Sequence, residues 1–412
     1  MTHWILSEGK PEDVGMDASR IDRLRKLAAA WVDRGQTPSL VLLAARRGTI
    51  VLHEAWGVRR PEDKTATLKR DSIFPLASCT KPITAAAVMC LVDDGLIGLN
   101  RPIVEYIPEW DVPGVQWLEE AKVVDLLCHT AGLDDLALAD FVQKAAEASP
   151  TVLAARPGQH PKINERIRWA AGAPLAHRPG SAMLYSNFGF NLLGDIVRRV
   201  SSQPFWQFAQ SRIFEPLGMR DSSYVFPAEL RERRVYRQPG MPMTQPAPGL
   251  HGGIDSLEYD ALDLGSTGVA STAADMAVFL QMLLNGGTYS GQRVLSPASV
   301  QAMTSPQVDL SIPRKTVFVI PQTGKRLELE HKGGGYGFGM FLLTHDDRFM
   351  ANGSLTSGRA FGHLGFSGAY FWADPESEVV GVYLGVVPRL VHGLAQRNSD
   401  LFMNAVHAAI VE

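Results

Sequence analysis

The sequence predicts an α+β fold in which an antiparallel sheet, flanked by helices, is interrupted by a mostly helical insertion. Three observations carry this. Strand-like apolar runs gather near both ends of the chain, helix-like stretches fill its middle, and 412 residues at 45% hydrophobic and 20% charged content can bury one large core or two smaller ones. Strands at both ends with helices between them imply a discontinuous sheet domain, residues 1–75 and 262–412, around a mostly helical domain, 76–261, with the active site at their interface.

The elements follow in order. Asp17 to Arg34 reads as an amphipathic helix with Ile21, Leu24, Leu27, Ala28 and Trp31 on one face. Two strand-like runs, Leu40 to Ala45 and Thr49 to Ala55, are joined by Arg46-Arg47-Gly48, which suits a hairpin. From Ser78 to about residue 260 the pattern is mainly helical, with helices at Ile83 to Asp94, Val123 to His129 and Phe188 to Val200. Strand character returns at Tyr336 to Leu343, Gly368 to Ala373 and Val379 to Val387, and a helix from Leu390 to Val411 closes the chain. Three stretches read as irregular loops or insertions: Asp134 to Pro179, Arg231 to Glu258 and Ser305 to Lys332.

The chemistry concentrates at Ser78-Cys79-Thr80-Lys81. A serine and a lysine three apart share one helical face, about 5–6 Å apart at Cβ, so a neutral amine can take the serine proton. Pro82 marks the first turn of the Ala-rich helix behind them, because proline is tolerated where its missing N–H has no partner. Ser78 then sits at or just before a helix N-terminus, whose free N–H groups favour a developing anion. A second Ser-x-x-Lys, Ser7-Glu8-Gly9-Lys10, has no helix behind it and serves as a control.

Tyr185-Ser186-Asn187 is the second signal, between the Pro179-Gly180 turn and the helical run from Phe188. Tyr185 can relay the serine proton or protonate a leaving group, and Asn187 can hold the lysine or a substrate carbonyl. The plain alternative is that Asn187 caps the helix and Tyr185 packs. The third signal is His363-Leu364-Gly365, followed by Phe366-Ser367-Gly368. A glycine there lets the backbone approach an acyl group, and the Phe366 N–H can join that of Ser78 in an oxyanion hole. Lys315-Thr316-Val317, which lacks the glycine, and Lys332-Gly333-Gly334 compete for the same role.

In this order the three motifs resemble the serine β-lactamase and penicillin-binding-protein superfamily, most closely its class C-like branch with the family VIII carboxylesterases. Leu126-Leu127-Cys128-His129-Thr130-Ala131-Gly132-Leu133 is similar to the family's helix–turn after the nucleophile. Gly268 to Met276 is similar to its late helix start, and Tyr336-Gly337-Phe338-Gly339 to the strand before its third motif, which favours His363 over Lys332. The resemblance spans about residues 12–410. It implies a β-lactamase/transpeptidase-like fold and an acyl-enzyme on Ser78, with Lys81 and Tyr185 sharing the base role. It also implies that Asn187, His363, Gly365 and Phe366 bind the substrate or the oxyanion. His363 stands where true β-lactamases usually carry lysine. A histidine, mostly neutral at pH 7, favours uncharged esters or amides over substrates that need a cation for their carboxylate.

The expected activity is therefore a carboxylesterase-type serine hydrolase acting on small esters. A β-lactamase, a D-amino-acid peptidase or amidase, and an acyltransferase are the alternatives, and a non-catalytic binding homologue is a further one. No Gly-x-Ser-x-Gly, His-Glu-x-x-His, phosphate-binding loop or dinucleotide fingerprint occurs, so no cofactor and no metal is expected. A net charge of −3 gives no reason to expect a nucleic-acid or membrane partner, and the oligomeric state is open. Three cysteines without metal-ligand spacing, and no visible signal peptide, suggest a reduced, cytoplasmic setting.

Overall fold

The computed structural model describes residues 3–148, 163–225, 227–237, 265–320, 325–331, 333–343, 353–387 and 394–412. Its centre is a nine-stranded sheet. The strands run in the order Ser7–Glu8, Thr49–Arg60, Ser39–Arg46, Val379–Gly385, Ala369–Asp374, Phe361–Leu364, Phe341–Leu342, Gly335–Tyr336, and Asp63–Thr67 folds back on Thr49–Arg60. Pairing is antiparallel except at Ser7–Glu8. The middle of the sheet joins the two ends of the chain, because Val379–Gly385 pairs with Ser39–Arg46 from Val379↔Arg46 to Gly385↔Leu40. Both strands are buried throughout, which explains their continuous apolar sequences.

Helices cover the sheet. Ala18–Asp33 starts where the Asp17 carboxylate accepts from the N–H groups of Ser19 and Arg20, and it buries Ile21, Leu24, Ala28 and Trp31. It packs against the last helix, Leu394–Ala408, and the chain ends are tied where Asp17 N donates to Ala409 O at 2.7 Å. Trp372 and Tyr383 of the central strands meet Phe402 of that last helix. Ala273–Leu284 packs on the same central strands, and its start is capped by Thr272, whose side chain accepts from Asp275 N. Among the described residues, no helix is long and apolar enough to cross a membrane.

Several boundaries differ from the sequence reading. Asp134 to Pro179 is not simply irregular: it contains helices Asp135–Glu147 and Ile163–Ala170. Ser305 to Lys332 holds an antiparallel hairpin, Arg314–Ile320 with Lys325–Glu330, whose first strand also pairs in parallel with Met183–Leu184. The expected strand Tyr336 to Leu343 is two short strands, because the chain turns at Gly337–Met340, where Gly337 N donates to Met340 O at 2.8 Å. His363 lies at the end of a strand, and the turn Gly365–Gly368 separates it from the next. Much of Arg231 to Glu258, the start of the Leu390 helix and Lys332 lie outside the described residues.

Candidate active site

Ser78 stands in a single tight turn, Ala77–Thr80, that runs directly into the helix Lys81–Asp93. That helix is apolar on every side and buried from Lys81 to Leu91, so its position is fixed by the core around it. Ala77 has φ +48°, a left-handed conformation that costs a non-glycine residue about 1–2 kcal/mol. Such strain persists only where the surroundings enforce it. Here they do. Leu76 N donates to Val269 O at 2.9 Å, Val269 N to Thr80 Oγ1 at 3.0 Å, and the Cys79 thiol to His363 O at 3.4 Å. Gly365 completes the seat, since a Cβ there would land on the Leu76 carbonyl oxygen. The third motif is thus pressed against the Ser78 turn, and only glycine permits it.

Lys81 is fully buried. Its Nζ lies 3.2 Å from Ser78 Oγ, 2.8 Å from Asn187 Oδ1 and 3.2 Å from Ser266 O. Burial lowers its pKa to about 7, against the opposing pull of the Asp135 charge. A neutral amine has two N–H bonds and one lone pair. The amide oxygen of Asn187 and the carbonyl of Ser266 can only accept, so they take the two N–H bonds. The lone pair is left facing the Ser78 hydroxyl, where a general base needs it.

Tyr185 is half-buried and shares a hydrogen bond with Ser78. Its ring is held between His129, at 4.3 Å between centroids, and Phe341, at 6.1 Å and nearly parallel, with the Lys81 Nζ 4.7 Å from its centre. Burial pushes its phenol pKa well up, with the Ser78 hydrogen bond opposing, so the phenol keeps its proton at neutral pH. Near neutral pH the amine therefore exchanges a proton readily, while the phenol keeps its own.

Asn187 opens the helix Asn187–Ser201, but Ser186 is its cap, accepting from Gly189 N at 3.1 Å. This leaves the Asn187 side chain for Lys81. His363 is fully buried beside Phe341, 4.9 Å between ring centroids, and 6.4 Å from Tyr185. Its Nδ1 lies 2.8 Å from Leu364 O, an acceptor, so Nδ1 carries the proton. Nε2 is buried with no hydrogen-bond partner among the described residues. Burial, reinforced by Lys81, lowers the His363 pKa to about 3, so the ring is neutral. Gly365 and the half-exposed Phe366 form the turn beyond it, with Gly365 N donating to Ala369 O at 2.8 Å.

Ser266 and Asp135 escaped the sequence reading, and His129 entered it as part of the Leu126–Leu133 segment. Ser266 supplies a carbonyl to Lys81, and its own N–H donates to Asn191 Oδ1 at 3.2 Å. His129 is a buried bracket whose Nδ1 accepts from Ser186 N at 3.1 Å, which leaves Nε2–H to donate to Tyr336 OH at 3.0 Å. Asp135 binds the start of the Asn187 helix through both oxygens. The Leu126–Leu133 segment carries His129 and ends two residues before Asp135, but nothing in it points to what either side chain holds. Of the competitors for the third motif, Lys315 is spent on the hairpin: its carbonyl accepts from Tyr185 N at 3.0 Å and its amine faces Glu328.

A strained serine turn, a buried lysine of lowered pKa and a protonated tyrosine on an α+β frame define the class of a serine-hydrolase fold. The chain belongs to the Beta-lactamase family, whose model matches residues 24–386. It is 29% identical over 358 residues to Protein Rv1367c of Mycobacterium tuberculosis, covering 79% of this chain and 80% of that protein. A penicillin-binding-protein homologue from Caulobacter crescentus shares the fold with a TM-score of 0.72 and 21% identity, over 96% of this chain and 99% of that one. EstCE1, described as a hydrolase with promiscuous acyltransferase activity, does so with a TM-score of 0.70 and 22% identity, over 94% and 98%.

Proposed function

We propose that this protein is a carboxylesterase-type serine hydrolase that cleaves small, uncharged carboxylic esters through an acyl-enzyme on Ser78. The observation that carries this reading is the lone pair of Lys81, aimed at Ser78 by two fixed acceptors. In the first step the Ser78 oxygen bonds to the carbonyl carbon while its proton passes to Lys81 Nζ. The resulting oxyanion is held by the N–H groups of Ser78 and Phe366. As the carbonyl re-forms, the bond to the alcohol oxygen breaks, and the ammonium proton reaches that oxygen through the Tyr185 hydroxyl. Water then repeats the sequence in reverse order on the acyl-enzyme, releasing the acid and restoring Ser78.

The neutral His363 supports an uncharged substrate. A lysine at this point would attract a carboxylate, whereas a buried imidazole without a proton on Nε2 offers no cation. We further propose that residues 1–75 with 262–412 and residues 76–261 form two units, with this site at their junction. A cytoplasmic setting is supported by three buried, unbridged thiols, Cys79, Cys90 and Cys128. The test is hydrolysis of short p-nitrophenyl esters beside nitrocefin, for wild type and Ser78→Ala. Ester turnover that vanishes in the variant, with little nitrocefin cleavage, is the expected result. Strong nitrocefin cleavage would move the assignment to a β-lactamase, and no turnover of either would favour a binding protein.

A further inference from the structure

We propose that Asp135 is a positioning residue of this site: by holding the Asn187 amide in one orientation, it makes the lone pair of Lys81 face Ser78. This rests on the roles of Ser78 and Lys81 proposed above. Asp135 opens the helix Asp135–Glu147 and reaches across to the start of the helix Asn187–Ser201. Its Oδ2 accepts from Asn187 N at 2.7 Å and from Asn187 Nδ2 at 2.9 Å. Its Oδ1 accepts from Ser186 Oγ at 2.6 Å and Phe188 N at 3.1 Å.

An ionised carboxylate can only accept, so the amide nitrogen of Asn187 must face it and the amide oxygen must face Lys81. Asp135 is the one acceptor for that NH2 group among the described residues. The reversed amide would present N–H bonds to Lys81. Only the amine's lone pair can meet a donor, and the proton of Ser78 would then have no acceptor. A residue that never touches the nucleophile or the substrate thus decides whether the base is aimed.

The same carboxylate sets the charge balance at Lys81. The groups acting on that amine are Asp135, the Cys79 thiol, the Tyr185 phenol and the imidazoles of His129 and His363. Burial keeps both imidazoles neutral, and Asp135 favours the ammonium. Removing Asp135 takes away the larger of the two influences, with Cys79, that oppose desolvation, so Lys81 loses its proton at lower pH. General loosening of the site would act the other way, because water reaching Lys81 would raise its pKa.

The experiment follows the rate at which a fluorophosphonate labels Ser78, as a function of pH, in wild type, Asp135→Ala, Asn187→Ala and the double variant. This readout depends on activation of Ser78 and not on which ester the enzyme prefers. Each single variant is expected to label about 10²-fold more slowly, as a misaimed catalytic group does. The double variant should be no slower than the slower single one, because both act through one amide. The acid limb of Asp135→Ala should move to lower pH. Multiplicative losses, or a limb that stays or moves to higher pH, would overturn the proposal. Should Asp135→Ala fail to give a cooperative melt, Asp135→Asn serves instead. It keeps the shape but turns an NH2 group on donors at 186–188, and wild-type labelling by that variant would equally overturn it. Failure of wild type to label at all would overturn both this inference and the hydrolase reading, whereas labelling with multiplicative losses would overturn this inference alone.

Discussion

Lys81 can accept a proton only while it lacks one, and burial sets the pH at which that happens. With its pKa lowered to about 7, the base form grows in as pH rises through neutrality. The logarithm of kcat/KM for a neutral ester is therefore expected to climb with unit slope below pH 7 and to level off above it. A limb centred near the ordinary lysine value of about 10.4 would mean that the amine is solvated in the working enzyme. Tyr185 has the opposite assignment. Its phenol stays protonated, so on the mechanism proposed above Tyr185→Phe removes a proton relay and not a base. That variant should lose about 10²-fold or more in kcat/KM while the position of the acid limb holds, because Lys81 still sets it. A pH profile for each variant checks both statements. These residues were legible in the sequence because each motif is local: Ser78 and Lys81 share one turn, and Tyr185 and Asn187 flank one cap. Asp135 was not, because its partners lie 51 to 53 residues away and no local pattern announces them.

At the scale of elements, what the sequence displays is set by how one-sided an element's surroundings are. Ser39–Arg46 and Val379–Gly385 are buried on both faces and read as unbroken apolar runs. The paired strands Arg314–Ile320 and Lys325–Glu330 did not announce themselves, since both are short and Arg314, Lys315, Lys325, Arg326, Glu328 and Glu330 make six of their thirteen residues charged. The position of the first beside Tyr185 comes from pairing with Met183–Leu184, a strand of two residues that carries no pattern of its own. Glycines mark a third kind of constraint. Gly381 lies opposite Trp372 in the neighbouring strand, and a Cβ at 381 would fall inside the fully buried indole. Gly381→Ala is expected to destabilise the protein by about 1–3 kcal/mol through overpacking. Thermal melting should show the loss, while the acid limb of the rate profile, set some distance away at Lys81, stays in place. Unchanged melting would mean that the sheet yields there without strain.

Across the whole molecule, the ends of the chain must be fastened together, because the central strands come from both and the last helix covers them. Asp374, at the end of the strand Ala369–Asp374, is the fastening point. It is buried, and it accepts from Ser357 N at 2.8 Å, Ser357 Oγ at 2.6 Å and Glu376 N at 3.1 Å. His407 of the last helix lies with Nε2 3.1 Å from Asp374 Oδ2 and Nδ1 2.9 Å from Met403 O. Burial alone would raise the carboxyl pKa, but the hydrogen bonds from His407 and Ser357 outweigh it and hold the group well below the usual range. An acid whose folded pKa is depressed contributes stability that is fully present above its unfolded pKa of about 3.9 and is lost as pH falls through the folded value. Asp374→Asn removes the charge and one set of lone pairs and leaves His407 without its carboxylate. It should cost about 3 kcal/mol at pH 7, in the range for breaking a buried pair. The gap in melting temperature between wild type and variant should then narrow as pH is lowered below about 4, where wild type begins to lose the same contribution. A gap that stays constant from pH 7 to pH 3 would show that Asp374 acts by shape alone. The last helix would then be held by the packing of Phe402 on Trp372 and Tyr383, and the charge would play no part in closing the molecule.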